Sequence, residues 1–223
     1  MLILNDPSRV NIMLIVITGD LKSSKKMNDR KSIQNDLRNA IHHINSRYRQ
    51  HIVSDFKIIG GDGFQGLISR TDVILDIYFS IFQKIHLPFY LGVGTGSIST
   101  SLSPDVQEID GEAFHNSSNS LITAKKKNRW IVIKTDSKNN DLIECILNFL
   151  FEIMWKWNER RRQIILFYRN HGENSDAIKL TAQEFEVGTR NIYKHLELGQ
   201  YSMIKYGEEV LKAELKKNDL QHN

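Results

Sequence analysis

Phe56-Lys57-Ile58-Ile59-Gly60-Gly61-Asp62-Gly63-Phe64-Gln65-Gly66-Leu67-Ile68 sets two β-rich runs on either side of a glycine-rich link. Such a link reads as a hairpin turn, so Phe56 to Ile59 and Phe64 to Ile68 are expected to pair and to present Asp62 at the tip. Upstream, Asn11 to Gly19 contains the unbroken apolar run Ile12 to Ile17, rich in β-branched residues and closed by Gly19-Asp20. That is the pattern of a central strand buried on both faces. Between the two, Asp29 to His51 places Ile33, Leu37, Ala40, Ile41, Ile44 and Tyr48 at the spacing of one amphipathic helix. Downstream, Thr71 to Ile85 carries Val73, Ile74, Ile77, Ile81 and Phe82 as a second helix and leads through Pro88 into a strand, Phe89 to Val93. The order β-α-β-β-α-β is the split arrangement of ferredoxin-like α+β domains, in which two such units share one antiparallel sheet with helices on one face. A helix from about Gly111 to Lys126 and a strand from Trp130 to Lys134 are expected to extend the sheet.

Beyond Asn139 the pattern becomes helical over a long stretch, with Ile143, Ile146, Leu147, Leu150, Ile153, Met154 and Trp157 forming a wide apolar stripe. Such a stripe needs a partner: the sheet, a second copy or the following domain. Between Asp176 and Leu196, the residues Ala182, Val187, Ile192 and Leu196 fall where a small residue, a turn hydrophobe and two recognition-helix hydrophobes lock a helix-turn-helix. The first helix is expected from about Ser175 to Phe185, the turn around Glu186 to Gly188, and the second helix from Thr189. Glycine commonly precedes the turn hydrophobe, and here Glu186 stands in that place. On the second helix, Thr189, Arg190, Asn191, Lys194 and His195 are expected to face away from Ile192 and Leu196, toward phosphates and base edges of DNA. Arg160, Arg161, Arg162 and Arg169 are candidates for backbone contacts. The same helical geometry also serves protein contacts. Gln200 to Leu215 continues helically, and the polar tail Lys216 to Asn223 is expected to fray. The chain therefore divides into a sheet domain over 1–137, a connecting or dimerising helix over 138–170 and an all-α helix-turn-helix domain over 171–223.

With 40% hydrophobic and 25% charged residues, the 223-residue chain has the composition of an ordinary globular protein. No run approaches the roughly 20 apolar residues of a membrane-spanning helix. Met1-Leu2-Ile3-Leu4 lacks a basic leader and is broken by Asn5-Asp6-Pro7-Ser8, so it does not read as a signal peptide. The single Cys145 lies in an apolar helical pattern and is expected to be buried and structural, which suits a reducing cytoplasm. The net charge of +4 is compatible with nucleic acid without establishing it. Basic residues collect at Lys22 to Lys26, Lys125 to Arg129 and Arg160 to Arg162.

A helix joining the first two strands is the crossover that parallel neighbours require, which puts their carboxyl ends on one sheet edge. Asp20 ends the first strand and Asp62 follows the second. Two carboxylates there, beside glycines that let a phosphate approach the backbone, are suited to hold Mg²⁺ or Mn²⁺ against a nucleoside triphosphate. Lys22, Lys25 and Lys26 follow directly. Either aspartate alone reads first as an ordinary turn residue, and it is their convergence with the lysines that points to a phosphate site.

The segments Ile17-Thr18-Gly19-Asp20, Ile58 to Phe64, Leu91-Gly92-Val93-Gly94-Thr95-Gly96 and Asp110-Gly111-Glu112-Ala113-Phe114-His115-Asn116 follow the landmark order of class III nucleotide cyclases. Gly61-Asp62-Gly63-Phe64-Gln65-Gly66-Leu67 with Ala113-Phe114-His115-Asn116 resembles the SatD family more closely, in which a cyclase-like domain precedes a helix-turn-helix. The resemblance implies metal ligation by Asp20 and Asp62, purine-nucleotide contacts at Gly19, Lys22, Lys25, Gly60, Gly61 and His115, and a homodimer. Asp62 also matches the aspartate of the Gly-Gly-Asp-Glu-Phe signature of diguanylate cyclases, where Gly63 replaces the glutamate. His115 and Asn119 stand where class III cyclases place Asn and Arg. Losing a preorganised positive charge on a transferring phosphoryl group costs on the order of 3 kcal/mol or more. The expectation is a DNA-binding regulator that binds metal and nucleotide, with a nucleotidyl cyclase and a non-catalytic interaction protein as alternatives.

Overall fold

A computed structural model describes residues 13–22, 29–135 and 137–221. It is a mixed α+β structure in which the described residues form five strands and eight helices. β1 (Ile15–Leu21) is followed by α1 (Arg30–Arg47), β2 (Ile52–Ile59), β3 (Gly63–Ile68), α2 (Ile74–Lys84), β4 (Phe89–Thr95), α3 (Glu112–Lys127) and β5 (Ile131–Lys134). The five strands form one sheet in the order β2-β3-β1-β4-β5. All neighbours are antiparallel except β4 and β5, which run parallel with α3 as their crossover.

This order corrects the expected adjacency of β1 and β2. β3 lies between them, because the three-residue turn Gly60-Gly61-Asp62 folds β3 straight back on β2 and leaves β3's other edge to pair with β1. Gly60 and Gly61 have φ of +61° and +93°, the left-handed angles that such a turn demands. The helical reading of Asp29 to His51 is shortened: α1 is capped by Asp29, whose carboxylate accepts from the Ser32 amide at 3.0 Å, and a 3₁₀ turn takes over at Arg49–His51.

Helices cover both faces of the sheet rather than one. Along β1, Ile15 and Ile17 share a face with the aromatic group in which Tyr78 of α2 lies 4.8 Å from Phe89, which in turn contacts Phe64 at 6.3 Å. The alternate residues Val16 and Thr18 face α3. Val16 clusters with Ala113 and Phe114, and the Thr18 hydroxyl lies 2.7 Å from that of buried Ser117. The backbone of α3 lies so close to β4 that a Cβ on Gly92 would sit 2.2 Å from the Ser117 carbonyl oxygen.

The remaining helices are α4 (Asn140–Trp155), α5 (Glu159–Asn170), α6 (Ser175–Glu184), α7 (Thr189–Leu198) and α8 (Tyr201–Gln221). The expected single connecting helix is two helices, since Asn158 caps α5 by accepting from the Arg161 amide at 2.9 Å. The described residues form two compact units, one made of those up to Glu144 together with those from Leu211 onward, the other of Cys145–Val210. In the second unit Ile164, Ile178, Ala182 and Ile192 form the core, with Val187 and Leu196 packed against it. α8 runs to Gln221, through the stretch expected to fray. Cys145 is exposed, not buried. No helix among the described residues is long and apolar enough to cross a membrane.

Candidate functional site

Asp20 sits where β1 ends, paired with Gly63 on one side and Tyr90 on the other. One residue on, the Leu21 amide donates to the Asp62 carbonyl at 3.1 Å. The structure therefore brings Asp20 and Asp62 together, through the β1–β3 pairing rather than through parallel neighbours. On the α3 face, Lys125 Nζ lies 2.6 Å from Asp20 Oδ2. In the sequence Lys125 is one of the basic residues that collect from Lys125 to Arg129, and its pairing with Asp20 carries no signal in local sequence.

Lys22 donates from Nζ to Asn128 Oδ1 at 3.0 Å, and the Tyr90 hydroxyl donates to the same oxygen at 2.9 Å. The Lys22 ammonium lies 5.3 Å from the Tyr90 ring centre and 5.4 Å from that of Trp130, within the range of cation–π attraction. Asn128 holds the position by adopting a left-handed φ of +51° at the end of α3. Across the turn, Gln34 donates to the Gly61 carbonyl at 3.2 Å. The edge thus gathers the Asp20 carboxylate, two lysines and two aromatic rings beside the glycine turn that carries Asp62.

Two residues expected there serve elsewhere. Gly19 is buried beneath the Phe64 ring, and a Cβ on it would lie 2.1 Å from that ring, so its lack of a side chain serves packing rather than phosphate approach. His115 lies near the start of α3, ten residues from Lys125, which at 1.5 Å per residue is about 15 Å along the axis. Its imidazole is exposed and lies 3.8 Å from Asp110. Asn119 is exposed on the same helix. Lys25 and Lys26 lie outside the described residues.

The residues present fit one kind of metal and not another. No group of three His, Cys, Asp or Glu side chains able to hold an ion occurs among the described residues. Mg²⁺ does not need one, because it commonly takes one or two carboxylates and completes its shell with water and substrate phosphates. With Lys125 already against Asp20, an ion at this edge would depend on a phosphate for the rest of its ligands.

The second candidate surface is α7. Asn174 caps α6 through its side-chain oxygen, which accepts from the Asp176 and Ala177 amides at 3.0 and 2.9 Å. The turn closes when the Val187 amide donates to the Ala182 carbonyl at 2.9 Å. Burial of Ile192 then fixes which side of α7 faces out, leaving Thr189, Arg190, Asn191 and Lys194 exposed together, with Tyr193 among them. Tyr193 was missed because an aromatic in a helix ordinarily reads as core.

His195 departs from the expected outward set. It is half-buried, its Nδ1 is enclosed without a hydrogen-bond partner, and burial together with Arg161, Arg160 and Lys194 lowers its proton affinity. The arginines also divide. Arg160 donates to the Phe185 carbonyl at 2.8 Å and stacks over the Phe185 ring at 4.7 Å, bracing the turn. Arg162 is buried and lies over the Trp155 ring. Arg169 pairs with Glu208 at 2.9 Å, and this partner holds its proton more tightly than usual despite burial. Neither Arg162 nor Arg169 is placed to meet a backbone phosphate.

Comparison with known proteins gives a family match: the model of the SatD family fits residues 14–203. A crystal structure of a regulator of polyketide synthase expression from Bifidobacterium adolescentis is similar at 11% identity, covering 91% of this chain and 80% of that one, with a TM-score of 0.26. That likeness is too loose to carry an argument about fold or function. No curated protein matches the chain.

Proposed function

The chain belongs to the SatD family, and from that premise we propose that it is a DNA-binding regulatory protein whose sheet domain binds a nucleotide together with Mg²⁺ or Mn²⁺. The observation that carries the reading is α7. A short helix held by Ala182, Val187 and Ile192 on one side presents Thr189, Arg190, Asn191 and Lys194 on the other. In a helix-turn-helix this is the arrangement that lays the second helix in a major groove, with arginine and asparagine suited to guanine and adenine edges. His195 is left out of the reading set because it faces inward.

The strand order β2-β3-β1-β4 supports a ferredoxin-like, cyclase-like reading of the sheet domain, with β5 added on its outer edge. Asp20, Asp62, Lys22 and Lys125 support nucleotide binding at the turn edge. Lys125 pairs with Asp20 and would be released to a phosphate were a cation to take its place on that carboxylate. Metal alone should therefore bind weakly, and a triphosphate with Mg²⁺ should bind more tightly than either separately.

Anisotropy of fluorescent duplex DNA tests the first part. Arg190→Ala and Lys194→Ala should each weaken binding, and loss of a phosphate contact should reduce the slope of log affinity against log salt by about 1. Unchanged affinity in both variants would remove α7 as the DNA reader. Titration calorimetry with Mg²⁺ and a panel of triphosphates tests the second part, and silence for every ligand would sink it. A nucleotidyl cyclase is the second reading, favoured by the convergence of the two aspartates at one edge. Turnover with Mn²⁺ and ATP or GTP that disappears in Asp62→Ala would establish it.

A further inference from the structure

The second unit carries two apolar stripes that its own core does not use. On α4, Ile146, Phe149 and Ile153 are spaced by three and four residues, and on α8 Met203, Tyr206 and Val210 repeat that spacing. Steps of three and four are those of the a and d positions through which helices of separate chains interlock. Phe149 is 66% exposed, Tyr206 63%, Met203 59% and Val210 44%, while the two isoleucines are half-buried.

The two stripes open on the same side. α4 and α8 run antiparallel, since Asn139, just before α4, donates to Glu214 and Leu150 meets Gly207. A Cβ on Gly207 would lie 2.9 Å from the Leu150 side chain, so the helices touch there. On α4, at 100° per residue, buried Leu147, Phe151 and Met154 lie to one side of Leu150 and the stripe to the other. On α8, buried Tyr201, Ile204 and Glu208 lie to one side of Gly207 and Met203, Tyr206 and Val210 to the other. With the helices antiparallel, both inward sets face the core and both stripes share the outer face.

We infer that this two-helix face is the interface through which a second copy of the chain docks, forming a four-helix contact about a two-fold axis. Area chooses the occupant. Aromatic side chains carry about 150–250 Å², so Phe149 and Tyr206 with Met203 and Val210 leave roughly 400 Å² of apolar surface, before the isoleucines are added. A stable interface takes about 800 Å² per partner, of which about 56–65% is apolar, or roughly 450–520 Å² on each side. One face of this chain set against its twin meets that need without a residue from elsewhere. The inference is independent of the DNA and nucleotide readings, and its test uses neither ligand.

Sedimentation velocity of the full chain across the micromolar range should give twice the 25.9 kDa chain mass. Phe149→Glu and Tyr206→Glu should each raise the dimer dissociation constant by about 30-fold or more, as expected for losing a buried aromatic anchor. Ile122→Glu, at the 62% exposed Ile122 of α3, should leave the constant unchanged. A wild-type chain that stays at its monomer mass overturns the inference, whether or not any variant folds. Dimers of both face variants as tight as those of Ile122→Glu overturn it as well.

Discussion

Glu186 holds a φ of +54° in the turn between α6 and α7, a conformation that costs an L side chain about 1–2 kcal/mol and glycine almost nothing. The sequence marks this place, because a glycine is the usual occupant before Val187, and the structure supplies the reason. Replacing Glu186 with Gly should relieve the strain, offset by about 0.5–1 kcal/mol of extra backbone entropy in the unfolded chain. The expected net gain is about 0.5–1 kcal/mol, read as a higher urea midpoint at unchanged slope; a lower midpoint counts against the strain. His195 makes a second prediction at this scale. Burial first, then Arg161, Arg160 and Lys194, lowers its folded-state proton affinity, so the unfolded chain binds the proton more readily. Stability from this residue is full above the unfolded value of about 6.5 and is lost as pH falls through that value toward the lower folded one. His43 shifts in the same direction, from burial and the nearby Lys84 and Arg47, so the wild-type profile alone does not isolate His195. The difference in melting temperature between wild type and His195→Gln should shrink as pH falls from 7.5 to 5, and a constant difference would refute the assignment. The inward turn of His195 was not legible because helical spacing places it one residue from outward Lys194, and only packing decides which side of that boundary it takes.

At the level of elements, glycine in β4 and glycine in the hairpin turn do opposite work, and a matched pair of substitutions separates them. A Cβ at Gly92 would sit 2.2 Å from the Ser117 carbonyl oxygen and 2.3 Å from the Leu121 amide nitrogen, backbone atoms of α3 that cannot turn away. Gly92→Ala should therefore push α3 off β4 and cost more than about 3 kcal/mol, the upper range of overpacking in a core. Gly60 has φ of +61° with nothing within 4 Å of an added Cβ, so Gly60→Ala should cost only about 1 kcal/mol, the left-handed penalty less the entropy returned. Chemical denaturation of the two variants reads both values, and equal losses would contradict the distinction. The strands themselves were legible, since alternation and β-branched runs are local signals. Their neighbours were not: nothing in the stretch from Ile12 to Ile17 says that β3 rather than β2 lies beside it, because pairing is decided by which edge the hairpin leaves free. The break between α4 and α5 was visible as Asn158-Glu159, a cap signal outweighed by the apolar stripe that runs on to Trp157. Cys145, exposed rather than buried, is a related case, as the stripe around it is wide enough that periodicity alone does not locate its edge.

Across the whole molecule, the least legible feature is that the second half of α8 groups with the sheet rather than with the helices that precede it. The part of α8 from Leu211 onward belongs to the same compact unit as the sheet, although the sequence sets 171–223 apart as one all-helical domain. The link is made by groups far apart in sequence: the Thr71 hydroxyl donates to the Leu215 carbonyl at 2.9 Å in a buried setting, and Lys212 pairs with Asp76 of α2 at 2.5 Å. Leu211 and Leu215 are 1% and 3% exposed. One lysine and two leucines in a charged helix give no hint of this, because a helical pattern states which face is buried but not against what. The consequence is measurable in the sheet rather than in the helix that carries the change. Leu215→Ala should destabilise the chain by about 2–4 kcal/mol, the usual range for emptying a leucine site in a core, whereas an exposed helical leucine would lose a few tenths. Amide exchange separates the two accounts, since the protons of β3 and α2 should exchange faster by the corresponding factor while those of α6 and α7 keep their rates. Removing residues 211–223 altogether should have a larger effect on the same amides, by taking away Leu211 and Leu215, the Leu215 carbonyl to which Thr71 donates and the Lys212 ammonium beside Asp76. If the truncated chain kept full protection in β3 and α2, the last half of α8 would have no part in that core, and the sheet domain would be complete without it.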